Sequence, residues 1–145
     1  MKRLILIFSY FLRMASRSLS QQYEDEEGIP HDITFLCVDE AETNSWKEVK
    51  AHKLVLSLKS DVFKSQFYGA FCKRDSIIIV KDSHHQVFEV LIKYLYEIED
   101  AISDLHSLQD LCSLYYLADK YDLTTLKVYL QFDAYLLYSA DVHVV

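Results

Sequence analysis

The sequence predicts an α+β domain in which a small three-stranded sheet is capped by a cluster of helices. Segments rich in β-forming residues lie in the first half of the chain, and apolar residues at helical spacing dominate the second half. Only two glycines and one proline occur in 145 residues, too few for the turns of an all-β sandwich. The composition, 51% apolar and 26% charged, is typical of one folded domain.

Three short segments predict the strands of this sheet. Ile33–Val38 (ITFLCV) is rich in β-formers and predicts a strand that is apolar on both faces. A polar connection over 39–45 leads to Trp46–Ala51 (WKEVKA), which predicts the second strand of a hairpin. Ile77–Val80 is four consecutive β-branched residues, too short for a helix, and predicts a buried strand.

The first predicted helix follows the second strand over 53–60. Leu54 and Leu58 lie four residues apart, so they share one face of this helix. Ser60 is expected to cap the next helix, which carries Val62, Phe63 and Phe67.

Later helices are predicted from start signals and apolar spacing. Ser83 with Gln86 three residues on forms a capping box, and Ser107 with Asp110 repeats that signal more weakly. The last helix begins near Thr124. The apolar faces of these three helices are, in order, Phe88, Leu91, Ile92 and Leu95; then Leu108, Leu111, Cys112, Tyr115 and Ala118; then Leu126, Leu130, Ala134 and Leu137.

The charge of the chain is uneven. A net charge of −7 argues against a nucleic-acid-binding domain, but residues 1–19 carry four cations and no acid. Lys2 and Arg3 precede an apolar run, Leu4–Leu12, that resembles the start of a signal peptide but is too short to span a bilayer. An irregular extension, a packing or docking helix and a targeting segment all stay open. With the acidic run 24–27 as linker, residues 1–29 form an N-terminal extension.

No arrangement of residues predicts catalysis or a cofactor. The sequence has too few glycines for a phosphate-binding loop, and no nucleophile, base and oxyanion donor come together. Cys37, Cys72 and Cys112 are far apart, which predicts reduced thiols, with Cys37 and Cys112 in the core. His84 and His85 are adjacent and point in different directions, so no metal site is expected. We therefore expect no enzyme, metal, cofactor or small-molecule substrate.

One ordered set of motifs is specific. Its front half resembles the BTB/POZ domain, which typically reads D-[VI]-x-F, then F-x-A-H-[KR]-x-[VIL]-L, then S-x-[VY]-F-x-x-[ML]-F. The matching segments here are His31–Phe35 (HDITF), Val49–Leu56 (VKAHKLVL) and Ser60–Phe67 (SDVFKSQF), followed in the expected order by Ile77–Ile79, Val87–Tyr96 and Leu117–Tyr121.

The resemblance predicts a BTB/POZ domain over residues 30–130 and a C-terminal tail over 131–145. The spacing is most similar to that of the BTB-domain-containing subfamily, in which further helical modules usually follow. The tail matches no such module, and truncation is one explanation.

The resemblance implies a non-enzymatic module that binds other proteins. Members self-associate, most often as homodimers, and several couple a substrate-binding partner to the cullin scaffold of ubiquitin ligases. Asp32 and Lys53 are implied at the dimer surface as a partly buried pair, and His52 as a hydrogen-bonded core residue. We expect a cytoplasmic or nuclear location without membrane attachment. The alternatives are a purely oligomerising assembly domain and a secreted or membrane-targeted protein led by residues 1–19.

Two departures from the family pattern bear on partners. Cullin-binding members often carry a hydrophobic-x-Glu motif, which here falls on Phe71, Cys72 and Lys73. Lys73 reverses the charge of the motif, so weak or absent cullin binding is expected; in the alternative, Phe71 caps the core. The polar, acidic stretch 21–28 also lacks the apolar stripe of a swapped N-terminal helix.

Overall fold

The structure, a computed structural model, describes residues 19–24, 28–38, 45–72 and 74–142. The predictions for residues 1–18, 25–27, 39–44, 143–145 and Lys73 lie outside these ranges. The α+β class is confirmed, and the elements follow in the order α1 Leu19–Glu24, β1 Ile33–Val38, β2 Trp46–Ala51, α2 Lys53–Lys59, α3 Asp61–Tyr68, β3 Ile77–His84, α4 His85–Leu95, a 3-10 helix Ala101–Asp104, α5 Leu108–Lys120 and α6 Thr124–Val142.

The sheet has the strand order β2-β1-β3. β1 pairs antiparallel with β2, from Ile33 opposite Ala51 to Val38 opposite Trp46, and parallel with β3. Burial alternates along β1, which has one face on the core. β1 does carry apolar residues on both faces, as predicted, but the residues on its outer face are only half-buried.

The third strand differs from its prediction in length and burial. β3 runs on to His84, and of its first four residues only Val80 is buried, whereas Ile77 and Ile79 are more than half exposed. The prediction of a buried strand was wrong because β3 lies at the sheet edge and turns one face away from the core. An apolar run alone does not distinguish these cases.

The helices cover the inner face of the sheet around an aromatic centre. Phe35 of β1 contacts Phe63 of α3 and Phe88 of α4, with ring centroids 6.1 and 4.9 Å apart. Phe63 also stacks on Tyr121 at 4.2 Å. Rings at these separations gain from offset and edge-on geometry in addition to burial. This cluster joins the sheet to α3, α4 and the end of α5.

Two predicted helix caps are confirmed. The Ser60 hydroxyl accepts from the Phe63 backbone N–H at 3.2 Å and donates to the Tyr121 carbonyl at 2.7 Å. The Ser107 hydroxyl accepts from the Asp110 N–H at 3.0 Å. Each serine satisfies one of the N–H groups that the first turn of a helix leaves unpaired.

The prediction that Ser83 and Gln86 form a capping box was wrong. α4 begins at His85, and His84 occupies the N-cap without a side-chain hydrogen bond. β3 continues to His84, so Ser83 has extended strand geometry, and Gln86 instead donates to the Asp104 carbonyl at 3.2 Å. The position of the strand end, which the local sequence does not mark, decides where this helix begins.

Candidate protein interaction surface

Asp32 and Lys53 are in contact, but through the main chain. The Asp32 carboxylate accepts from the Lys53 backbone N–H at 2.7 Å, just where α2 begins. The Lys53 ammonium donates instead to the Asp75 carbonyl at 3.0 Å and lies 5.8 Å from the Phe67 ring centroid. The expected partly buried ion pair between the Asp32 and Lys53 side chains is therefore not formed. Asp32 is exposed and anchors the start of α2, while Lys53 ties α2 to the loop before β3.

Beside this anchor, α2 presents an apolar face to solvent. Leu54 and Leu58, which share one face of the helix as predicted, are 61% and 73% exposed. Val62 at the start of α3 is also exposed. We call Asp32, Lys53, Leu54 and Leu58 the α2 surface. Exposed leucines one helical turn apart are typical of a contact surface rather than of a core.

A second apolar feature follows α3. The Phe71 ring is 99% exposed, so the alternative that it caps the core is excluded. The Cys72 N–H donates to the Gly69 carbonyl at 3.1 Å and closes a tight turn that carries this ring. A Cβ at Gly69 would lie 2.2 Å from the Ser65 carbonyl oxygen, so the turn needs glycine. Cys72 is half-buried, and Lys73 lies outside the described residues.

The family histidine is confirmed as a hydrogen-bonded core residue. His52 Nε2 lies 2.7 Å from the Ile29 carbonyl and therefore carries the proton that it donates. Nδ1, 2.6 Å from the Tyr96 hydroxyl, is then the acceptor, and the same hydroxyl accepts from the His52 backbone N–H at 2.7 Å. Burial raises the pKa of Tyr96, so its hydroxyl stays protonated and donates. These bonds hold the residue that immediately precedes α2.

An aromatic extension of this site was missed from the sequence. His31 stacks on His52 with ring centroids 4.6 Å apart, and Tyr23 of α1 packs on Tyr96 at 4.9 Å. Burial, and then the neighbouring His52, lowers the pKa of His31 below its ordinary value of 6.5. No periodicity links Tyr23 to Tyr96, which lies 73 residues further on, so only the fold reveals the contact.

The cysteines separate in burial. Cys37 is buried in β1 as predicted, and burial raises its pKa to about 12, which keeps it a thiol. Cys112 was predicted in the core but is exposed, because it lies beside rather than on the buried face of α5.

Within the described ranges, no cluster of three or more histidine, cysteine or acidic residues is arranged to hold a metal ion. In the same ranges, no helix has the length and hydropathy to cross a membrane.

The fold and its exposed apolar features define the class of a protein–protein interaction module. The family model of the BTB/POZ domain matches residues 19–132, and the chain belongs to the BTB/POZ domain family. The match begins where α1 begins and includes both the α2 surface and the Phe71 turn.

Curated relatives and a solved structure agree with this assignment. BTB/POZ and MATH domain-containing protein 4 of Arabidopsis thaliana is 38% identical over 87 residues, covering 58% of this chain and 17% of that protein. BTB/POZ domain-containing protein 6-A of Danio rerio is 37% identical over 68 residues, covering 47% and 12%. The matches thus span less than half the length of these relatives. The BTB domain of zebrafish PATZ1 shares the fold, with a TM-score of 0.59, 19% identity and coverage of 81% of this chain and 86% of that one.

Proposed function

We propose that this BTB/POZ domain self-associates through the α2 surface and acts as a non-enzymatic adaptor. The observation that carries the proposal is the pair of exposed leucines, Leu54 and Leu58, on a helix whose start is fixed by Asp32 and His52. Burying exposed leucines against a second copy contributes about 1.5–3 kcal/mol for each side chain. A rigid, symmetric contact of this kind is self-complementary.

Self-association is tested by the mass in solution. We expect light scattering to give twice the 17.0 kDa of one chain. Leu58→Asp should convert the dimer to monomer, because each copy then places a carboxylate in an apolar contact. Leu108→Asp is the matched control, since Leu108 is also an exposed leucine, 62% exposed, at the start of α5. Equal dimer fractions in both variants would contradict the proposal. A mass of four subunits would favour the purely oligomerising assembly domain.

Lys53→Glu probes the same surface from its charged side. The substitution removes the ammonium that donates to Asp75 and places a second carboxylate near Asp32. We expect a weaker dimer or a less stable fold, because like charges at short range repel. Light scattering and the melting temperature are both measured. A variant unchanged in both would show that these contacts support neither association nor stability.

The adaptor role places Phe71 in an apolar pocket of a cullin scaffold. The Phe71 ring is almost fully exposed and available for contact, and the closed turn fixes the backbone that carries it, so binding need not order that backbone. Lys73 is positively charged at the position where the hydrophobic-x-Glu motif of cullin-binding BTB/POZ domains has its glutamate. We therefore propose weak cullin binding by the native chain, which Lys73→Glu should strengthen.

Titration against a cullin N-terminal fragment tests this role. Phe71→Ala should abolish the residual binding, since loss of an aromatic anchor costs about 2 kcal/mol or more. Phe132→Ala is the matched control, because Phe132 is an exposed phenylalanine on α6. Tight binding that ignores Phe71→Ala and Lys73→Glu would overturn the proposal. We also propose a cytoplasmic or nuclear location, since the free cysteines suit a reducing compartment.

A further inference from the structure

A groove on the far end of the helical layer has no role in the function proposed above. It lies between the end of α4 with the following 3-10 helix and the first half of α6. Two adjoining depressions of about 530 and 650 Å³ share Tyr94, Ile98 and Thr125 as lining residues. Leu105 and Tyr129 extend its apolar surface. The groove is thus wide enough for a peptide segment with large apolar side chains.

The lining of this groove is acidic. Glu97, Asp100, Asp122 and Asp133 lie around it, and Lys59 is the only lysine or arginine among the described residues that line it. Lys59 forms an ion pair with Glu97, which leaves the lining with a net charge of −3. An apolar floor with acidic edges fits a segment that is apolar and basic at once.

This chain contains such a segment. Residues 2–17 combine the apolar run Leu4–Leu12 with four cations, Lys2, Arg3, Arg13 and Arg17, and have no acidic residue. By contrast, the rest of the chain has a net charge of about −11, from −7 overall and +4 in this segment. Charge and apolarity of the segment therefore complement both properties of the groove.

The segment enters the described part of the chain close to the groove. It leads into α1, whose Tyr23 packs against Tyr96 at 4.9 Å. Leu95 and Glu97, the chain neighbours of Tyr96, line the groove. Sixteen residues reach at most about 55 Å when extended, whereas the radius of gyration of a domain this size is about 14 Å. The segment is therefore long enough to reach the groove.

We propose that the groove between α4 and α6 is the docking site of residues 2–17 of the same chain. The apolar run covers the Tyr94, Ile98 and Tyr129 floor, and the cations face the acidic edge. Docking would protect the bonds after Arg13 and Arg17 from trypsin. Cleavage after Arg74, an exposed residue, serves as the internal standard of protease activity.

The test compares tryptic cleavage rates after Arg13 and Arg17 in two full-length double variants. Asp100→Asn with Asp133→Asn removes two carboxylates of the groove, and asparagine tolerates the positive φ of 59° at Asp100. Losing two exposed charge pairs should raise the cleavage rate about fivefold. The matched control, Glu48→Gln with Asp61→Asn, removes two exposed carboxylates that lie outside the groove lining and are not adjacent to Arg74, and it should leave the rate unchanged.

Three outcomes would overturn the proposal. Equal rates in the wild type and the groove variant would show that these carboxylates do not hold the segment. Protection that grows with protein concentration would place the segment in the groove of a second copy. A mature chain that lacks residues 1–15 in its own cells, measured by intact mass, would assign the segment to targeting.

Discussion

Replacing Tyr96 by phenylalanine tests the hydrogen bonds that fix the start of α2. The Tyr96 hydroxyl accepts from the His52 backbone N–H at 2.7 Å and donates to His52 Nδ1 at 2.6 Å. Tyr96→Phe keeps the buried ring and removes only the oxygen, so the aromatic packing around it is retained. One buried donor and one buried acceptor then lose their partner.

The expected cost follows from these two atoms. A buried polar group left without a partner costs about 1–3 kcal/mol, which gives about 2–6 kcal/mol for two groups. Because the substitution also removes the desolvation cost of the Tyr96 hydroxyl, we expect the free energy of unfolding to fall by about 2–4 kcal/mol in total. For a domain of this size, 1 kcal/mol corresponds to roughly 3 °C in melting temperature, which predicts a decrease of roughly 6–12 °C. Few single substitutions that create no cavity have so large an effect.

Urea unfolding followed by far-ultraviolet circular dichroism measures this change. Tyr116→Phe is the control, because Tyr116 is an exposed tyrosine on α5. This substitution removes the same hydroxyl oxygen from an exposed position. Its free energy of unfolding should change by less than about 0.5 kcal/mol. If Tyr96→Phe were as mild as Tyr116→Phe, the two bonds to His52 would not contribute to stability, and the reasoning would fail.

Two further predictions concern His31 and Gly69. Because the folded state lowers the pKa of His31, it binds this proton less readily than the unfolded chain, so stability should fall as the pH drops through 6.5. His31→Gln should lose less stability than wild type between about pH 7 and about pH 5, measured by urea unfolding; identical losses would contradict this. Gly69→Ala brings a Cβ within 2.2 Å of the Ser65 oxygen. It should lower stability by about 1–3 kcal/mol and weaken any binding through Phe71; an unchanged melting temperature would refute the clash.

The sequence predicts the fold well where local chemistry decides the structure. The bounds of β1 and β2 match the predicted strands, and the serines at 60 and 107 cap the helices that follow them. In each case the determining interactions lie within a few residues along the chain. β-branched residues favour extended backbone, and a serine hydroxyl reaches the N–H three residues on.

Predictions fail where distant parts of the chain decide. Ile77 and Ile79 are apolar and β-branched, yet they are exposed because they share the face of the edge strand β3 that points away from the core, whereas Val80 on the opposite face is buried. Ser83 has the spacing of a capping box, but pairing with β1 keeps its segment extended. On α5, Cys112 faces away from the domain core, although it directly follows the buried Leu111. Strand pairing sets the first two outcomes and the packing of α5 sets the third, and neither is encoded in a short window of sequence.

The same division holds for the interaction surface. The spacing of Leu54 and Leu58 correctly indicates a shared helical face, but only the packing of α2 shows that this face is exposed. The Asp32–Lys53 contact was expected between side chains and instead uses a backbone N–H. Side-chain identity alone does not reveal which atom of a residue makes a contact.

The bonds of His52 couple the stability of the domain to its proposed dimer surface. His52 binds Ile29 before β1 and Tyr96 at the end of α4, and α2 begins at the next residue. Loosening this ring should therefore shift the helix that carries Leu54 and Leu58. We expect Tyr96→Phe to weaken self-association at temperatures where the domain is still folded, whereas Gly69→Ala, which acts after α3, should spare the dimer. Sedimentation equilibrium on both variants separates the α2 surface from the Phe71 turn, and equal dimer constants would show that the two features are not independent.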